Sequence, residues 1–215
     1  SSNEATQPPL PEAAEAMARA AAEANRYPDI AATELREDLA EHLGASFDQV
    51  TVGTGSSALC QQLVQITTRP GEEVIFPWRS FEAYPIFAQV VGARPIPVPL
   101  DPDQRVDLAA MAEKITADTR LIFVCNPNNP SGTTVTKAEF AEFMDAVPSD
   151  VLVALDEAYI EYNRNADTPL GTELFGTYPN VVFLRTFSKA YGLAGVRVGY
   201  AYGPEDVIAA LNKVA

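Results

Sequence analysis

Lys189 stands in a hydroxyl-rich turn, Thr186-Phe187-Ser188-Lys189, separated by Arg185 alone from the apolar run Val181 to Leu184. A run of that length reads as a buried strand, so the turn sets an amine at a strand's carboxyl end, where open α/β sheets bind ligands. Gly192 and Gly195 permit a tight turn or a close backbone approach, and Arg197 returns a fixed positive charge eight residues after the lysine. One amine, two hydroxyls and one guanidinium suit a phosphorylated carbonyl compound: the amine attacks the carbonyl while the other groups hold the phosphate. Pyridoxal phosphate is the candidate these groups fit. A lysine after a strand is, taken alone, most often a solvated surface residue, so the reading depends on the company it keeps.

Three further loops supply that company. Gly53-Thr54-Gly55-Ser56-Ser57-Ala58 follows one short strand and opens a helix, so its backbone N–H groups and the helix dipole can cradle a phosphate. The same stretch fits a relaxed dinucleotide fingerprint. That alternative needs an acidic residue at the end of the next strand, whereas Glu72 and Glu73 precede Val74 to Phe76 and Pro77-Trp78 follow it. Asn126-Pro127-Asn128-Asn129-Pro130-Ser131-Gly132 follows Leu121 to Cys125; its prolines lock the loop, presenting asparagines to a ligand oxygen. Val151 to Leu155 leads into Asp156-Glu157-Ala158-Tyr159. An apolar strand ending in Asp-Glu also suits the magnesium strand of phosphate-loop ATPases, but the glycine-x-x-x-x-glycine-lysine-serine/threonine loop is absent. A carboxylate at the end of a buried strand is costly without a cation, and a protonated pyridine nitrogen is such a cation. Kept charged, that nitrogen makes the ring an electron sink.

The elements that must position these loops follow a regular alternation. From Val50 onward, short apolar runs at Val50–Val52, Val74–Phe76, Arg94–Leu100, Leu121–Cys125, Val151–Leu155, Val181–Leu184 and Val196–Ala201 alternate with helical stretches from Ser57, Phe81, Asp107, Lys137 and Pro204. This predicts a three-layer α/β/α domain around a mostly parallel seven-stranded sheet. Before it, Pro11 opens an alanine-rich helix to about Ala24, Asn25 to Asp29 breaks it, and Thr33 can cap a second helix ended by Gly44. Residues 1–24 thus read as an amino-terminal segment and helix, and residues 25–215 as one large domain. The chain stops at Ala215 inside a helical pattern, which reads as a piece of something longer.

Composition bounds the rest. With 215 residues, 47% hydrophobic and 20% charged, the chain can bury a substantial core. No apolar run approaches the ~20 residues of a membrane-spanning helix. A net charge of −14 argues against nucleic acid as a partner, since a polyanion surface needs clustered lysine and arginine. Cys60 and Cys125 make no paired motif and read as buried thiols of a reduced, cytoplasmic protein. His42, the only histidine, sits near a helix end, which excludes a histidine-centred triad or multi-histidine metal site; no metal is expected.

Taken together, CNPNNPSG, LDEAYIEY and RTFSKAYGLAGVRVGY resemble the fold-type I pyridoxal-phosphate aminotransferases, in the histidinol-phosphate aminotransferase-like branch. The resemblance covers essentially the whole chain. Within the branch, TVGTGSSALCQQLVQ and FPWRSFEAYPIF look most like the actinobacterial aromatic amino acid (phenylalanine) aminotransferases.

The resemblance implies a role at each matching position. Lys189 would form an imine with the pyridoxal 5′-phosphate aldehyde and later move the proton between the substrate α-carbon and the cofactor C4′. Asp156 would pair with the pyridine nitrogen, Asn129 and Tyr159 would hydrogen-bond the ring hydroxyl, and Phe81, where a tyrosine is common, would stack on the ring. The backbone of Ser56 and Ser57, with Thr186, Ser188 and Arg197, would bind the phosphate. Tyr27 matches a tyrosine that reaches the neighbouring subunit's phosphate, which implies a homodimer, and Asn3 matches an asparagine near the substrate pocket. Family members also carry an amino-terminal arm before the position of Ser1 and a small domain after that of Ala215, which bears the arginine for the substrate carboxylate. The implied reaction moves an amino group between phenylalanine or a related aromatic amino acid and 2-oxoglutarate. Histidinol phosphate is the alternative substrate, and a catalytically silent, cofactor-binding regulatory domain is the alternative of another class. The segment without its small domain is expected to be inactive.

Overall fold

Apolar runs of strand length form seven strands; those inside the sheet are buried on both faces, whereas Arg94–Pro99 at one edge buries only Val98. The computed structural model describes residues 3–215. In chain order the elements are α1 (Pro11–Ala21), α2 (Thr33–Leu43), β1 (Val50–Gly53), α3 (Gly55–Thr67), β2 (Glu73–Trp78), α4 (Tyr84–Val90), β3 (Arg94–Pro99) and α5 (Leu108–Ala112). Then follow β4 (Thr119–Cys125), α6 (Lys137–Ala146), β5 (Leu152–Asp156), α7 (Gly171–Leu174), β6 (Val181–Thr186), β7 (Gly199–Tyr202) and α8 (Glu205–Asn212). The strands form one sheet in the order β1-β7-β6-β5-β4-β2-β3. The pairs from β6 through β5, β4 and β2 to β3 are parallel, and β7 runs antiparallel to both β1 and β6.

Two apolar clusters sandwich the sheet. On one face, Leu39 and Leu43 of α2, Met111 of α5 and Phe140 and Phe143 of α6 pack with Ile75, Ile122, Val124, Val153, Leu155 and Phe183. On the other, Leu59 and Leu63 of α3, Tyr84 and Ala88 of α4 and Ile208 and Leu211 of α8 pack with Val74, Phe76, Leu121, Phe123, Ala154, Val182 and Leu184. This is the expected three-layer α/β/α arrangement. In β5 the alternation fixes the chemistry: Ala154 and Asp156 share the α3/α4 face, while Val153, Leu155 and the following Glu157 belong to the other.

Several boundaries differ from the sequence reading. Helix α1 stops at Ala21, and the chain goes on in single turns such as Glu23 N–H to Ala20 O at 3.1 Å. It buries no residue, so no packing extends it toward Ala24. Thr33 does not cap α2. Ala32 takes that place with φ 46°, and the Asp29 carboxylate accepts from Ala31 N at 3.0 Å and Thr33 N at 2.8 Å instead. Helix α3 starts at Gly55 rather than Ser57, whereas α4 waits for Tyr84, with Pro85 in its first turn. The last strand opens at Gly199 instead of Val196 because Ala194–Val196 form a 3-10 turn and Arg197 is left-handed, φ 61°. Among the described residues no helix is long and apolar enough to cross a membrane.

Candidate active site

Strands β4, β5 and β6 lie side by side in parallel, with Cys125 level with Asp156 and Asp156 level with Leu184. Their carboxyl ends therefore deliver the asparagine loop, the Asp-Glu pair and the Thr186–Lys189 turn to one rim of the sheet. The backbone ties the first two together, with Asn126 N–H donating to Asp156 O at 2.9 Å and Glu157 N–H to Leu184 O at 2.8 Å. A cavity of about 730 Å³ opens at this rim. Lys189, Asp156, Asn129, Tyr159, Phe81, Ser56, Ser57, Thr186, Ser188, Arg197 and Asn3 all line it. Its size is that of a small-molecule pocket.

Asp156 is the buried pole of this cavity, 3% exposed. Its Oδ2 accepts from the Tyr84 hydroxyl at 2.6 Å and its Oδ1 from Ala158 N–H at 3.1 Å. Burial pushes its carboxyl above the ordinary range; the Tyr84 and Ala158 hydrogen bonds oppose that shift and the charge of Glu157 adds to it. Glu157 itself points to the opposite face. There Gly171 N–H (2.7 Å), Arg185 Nε (2.8 Å) and the Tyr202 hydroxyl (3.1 Å) all donate to it, fixing the strand end from behind.

The other pole is built from hydroxyls and a guanidinium. The Thr186 hydroxyl donates to Ser188 Oγ at 3.0 Å and accepts from Ser188 N–H at 3.2 Å, while Arg197 donates to Ser188 Oγ at 3.3 Å and to Ala194 O at 2.8 Å. These groups meet the amino-terminal end of α3, where Ser56 and Ser57 line the cavity from the first turn, whose N–H groups have no intrahelical acceptor. Two glycines make the approach possible. Gly55 has φ 76° and a Cβ there would meet the Arg197 guanidinium; a Cβ on Gly199 would strike Ser56 N and lie 2.6 Å from Gly55 C. Because both obstacles at Gly199 are backbone, Gly199→Ala is expected to cost about 1–3 kcal/mol. A drop in the denaturation midpoint, together with weaker binding of inorganic phosphate, would report the distorted cradle.

Between the poles, Lys189 Nζ lies 5.5 Å from the centroid of the Tyr159 ring, within cation–π range. Asn3 reaches this point from the amino-terminal segment: its amide donates to the Tyr159 hydroxyl at 3.1 Å and stands 3.5 Å from Asn129 Oδ1. Phe81 lines the opposite wall, edge-on to Tyr84 with centroids 5.4 Å apart. Tyr27 alone among the predicted site residues is outside the cavity; it is fully exposed in the link between α1 and α2.

Two participants escaped the sequence reading. Tyr84 shows only as one aromatic in a helical pattern, and nothing local to it points toward Asp156. Cys125, read as a buried thiol, is buried and free but also lines the cavity, where burial foremost and the nearby Asp156 push its thiol up to about 12. Among the described residues no group of three or more histidine, cysteine, aspartate or glutamate side chains could hold a metal ion.

The whole chain, residues 1–215, matches the family described as aminotransferase class I and II. The chain belongs to that family. Among curated members it is similar to the aromatic amino acid aminotransferase of Corynebacterium diphtheriae, 67% identical over all of this chain and 62% of that one. The protein of the same description from Streptomyces coelicolor is 57% identical, over all of this chain and 60% of its own. The chain thus spans about three fifths of the length of these relatives. Among solved family members, histidinol-phosphate aminotransferase from Sinorhizobium meliloti in complex with pyridoxal-5′-phosphate superposes with a TM-score of 0.92 at 32% identity, over 99% of this chain and 58% of that one. A Thermus thermophilus aspartate aminotransferase mutant gives 0.88 at 27% identity, over 98% and 61%.

Proposed function

We propose that the full-length protein is a pyridoxal-phosphate-dependent aminotransferase that moves an amino group between an aromatic amino acid, phenylalanine first, and 2-oxoglutarate. The observation that carries this reading is the placing of Lys189, Asp156 and the Ser188–Arg197 cradle on one cavity. The residues suit the cofactor on physical grounds. Asp156 is buried, and among the described residues it accepts from the neutral donors Tyr84 O–H and Ala158 N–H, so a cationic ring nitrogen would offset its charge. The glycine-lined cradle at α3 leaves room and donors for a phosphate dianion.

When bound, pyridoxal phosphate supplies a carbonyl that captures an amine and a ring that accepts electrons from the substrate α-carbon. The chain's residues do the rest. Arg197, Ser188, Thr186 and the N–H groups of Ser56 and Ser57 would anchor the phosphate, and Asp156 would hold the proton on the ring nitrogen. Asn129 and Tyr159 would orient the ring oxygen, Phe81 would cover the ring face, and the Lys189 amine would carry the proton between the substrate α-carbon and the cofactor C4′. Asn3, already bridging Tyr159 and Asn129, closes the substrate side. The exposed Tyr27 fits a homodimer in which it reaches the neighbouring subunit's phosphate. Two buried free thiols suit a reducing compartment, and we place the protein in the cytoplasm. The aromatic substrate rests on the curated relatives of 57–67% identity, whose description it is.

The experiment is a comparison of phenylpyruvate and imidazole acetol phosphate as amino acceptors of the purified full-length protein. Faster turnover of phenylpyruvate is expected. Preference for imidazole acetol phosphate would make it a histidinol-phosphate aminotransferase, and cofactor binding without turnover of either would make it a silent binding domain.

A further inference from the structure

We propose that Tyr84 is a positioning residue of this site: its hydroxyl, donated to Oδ2 of Asp156, sets the carboxylate so that it faces the cationic ring nitrogen of the cofactor. The inference rests on the pyridoxal-phosphate reading and deepens it, by naming what holds the anchor that holds the cofactor.

Packing alone does not account for a tyrosine here. The ring is fully buried, stacked on Phe123 with centroids 4.4 Å apart and planes 11° from parallel, and edge-on to Phe81 at 5.4 Å. Phenylalanine would make all those contacts, and a buried hydroxyl costs free energy unless it finds a partner. The Tyr84 hydroxyl donates to Asp156 at 2.6 Å, the length of a charge-assisted O–H···O bond, and Cys125 is the other polar side chain beside it. Burial foremost, then the Asp156 charge, pushes the phenol well above its ordinary range, so it remains a donor at every pH the protein meets. Tyr84 also links two walls of the cavity, because the ring that aims Asp156 supports Phe81.

The donation has a direction. Among the described residues, the titratable groups that interact with Asp156 are Tyr84 from α4, Cys60 from α3, Cys125 at the end of β4 and the adjoining Glu157, and each of them is neutral or anionic. Burial and Glu157 favour the protonated carboxyl; the Tyr84 hydroxyl and Ala158 N–H favour the carboxylate. Removing the hydroxyl therefore shifts Asp156 toward its neutral form, which cannot pair with a pyridinium.

Pyridoxamine 5′-phosphate is the probe, since it has no aldehyde and cannot condense with Lys189. Its binding to the cofactor-stripped full-length protein is measured by calorimetry across the acid range. Affinity should fall as Asp156 takes up a proton, and Asp156→Asn should lack that limb. In Tyr84→Phe, which keeps every ring contact, the midpoint of the limb should move up by about one pH unit, the equivalent of one hydrogen bond to a charge. With 3-fluorotyrosine at position 84, a stronger donor of similar size, it should move down. A midpoint unmoved in both variants, or a limb that survives Asp156→Asn, overturns the inference while leaving the cofactor reading intact. Failure of the wild-type protein to bind the probe overturns both.

Discussion

Lys189→Ala is expected to lower amino transfer by the full-length protein at least about a thousandfold, the scale lost when a group that serves as both nucleophile and proton carrier is removed. The loss should fall on kcat, and the folded protein should survive it. Lys189 is half-buried on the turn after β6, outside both apolar clusters, and its Nζ sits over the Tyr159 ring. Truncation therefore empties space in the cavity and leaves the core as it was. Lys189→Arg separates the amine's chemistry from its charge. Arginine keeps a cation near Tyr159 but cannot be deprotonated, so it can neither attack a carbonyl nor accept the α-proton. Both variants should fall together. Turnover at saturating substrate, alongside thermal melts, checks this; an arginine variant within tenfold of the wild type would mean that charge alone matters at this position.

The sequence carried the poles of this site because each lies at a junction where the chain changes character. Apolar runs of strand length stop at Cys125, Leu155 and Leu184, and the chain goes on with asparagine, with aspartate and, past Arg185, with hydroxyl-bearing side chains. A strand end is where a sheet meets solvent, so that contrast points at function without knowledge of the fold. Strand order is different. Nothing local states that β4, β5 and β6 are neighbours, or that β7 runs against both of its partners, and these follow from how two apolar faces are covered at once. Tyr84 was illegible for that reason. Its partner is 72 residues away in sequence, and the contact exists because α4 and Asp156 share one face of the sheet. Asp156 and Glu157 show the converse. They look like a pair in sequence, yet period two sends one to the cavity and the other to Arg185 and Tyr202.

Asp156→Asn should cripple amino transfer by the full-length protein and stabilise its cofactor-free form, and the two effects share one cause. Asparagine keeps the volume and can keep both hydrogen bonds, its carbonyl accepting from Ala158 N–H and its amide donating to the Tyr84 oxygen. What it lacks is charge. Breaking a buried charge pair typically costs 3–5 kcal/mol, so amino transfer is expected to fall by at least roughly a hundredfold, with cofactor binding weakened as well. In the cofactor-free protein the same charge is a burden, because burial raises the folded carboxyl above its unfolded value. An acid whose folded pKa is raised contributes its full stability below the unfolded value, near 3.9, and loses it as pH climbs through the folded value. The variant's advantage should therefore be absent at pH 3–4 and grow as pH rises toward neutrality, read as a difference in chemical-denaturation midpoint. Saturating pyridoxal phosphate should reverse the order, since it binds the folded wild type more tightly and stabilises it by mass action. A variant less stable than the wild type at neutral pH without cofactor would show that Asp156 has another cationic partner within the protein, and the carboxylate would then be structural. A more stable but inactive variant would mean that the fold gives up stability at this one residue to keep a negative charge where the ring nitrogen must be held.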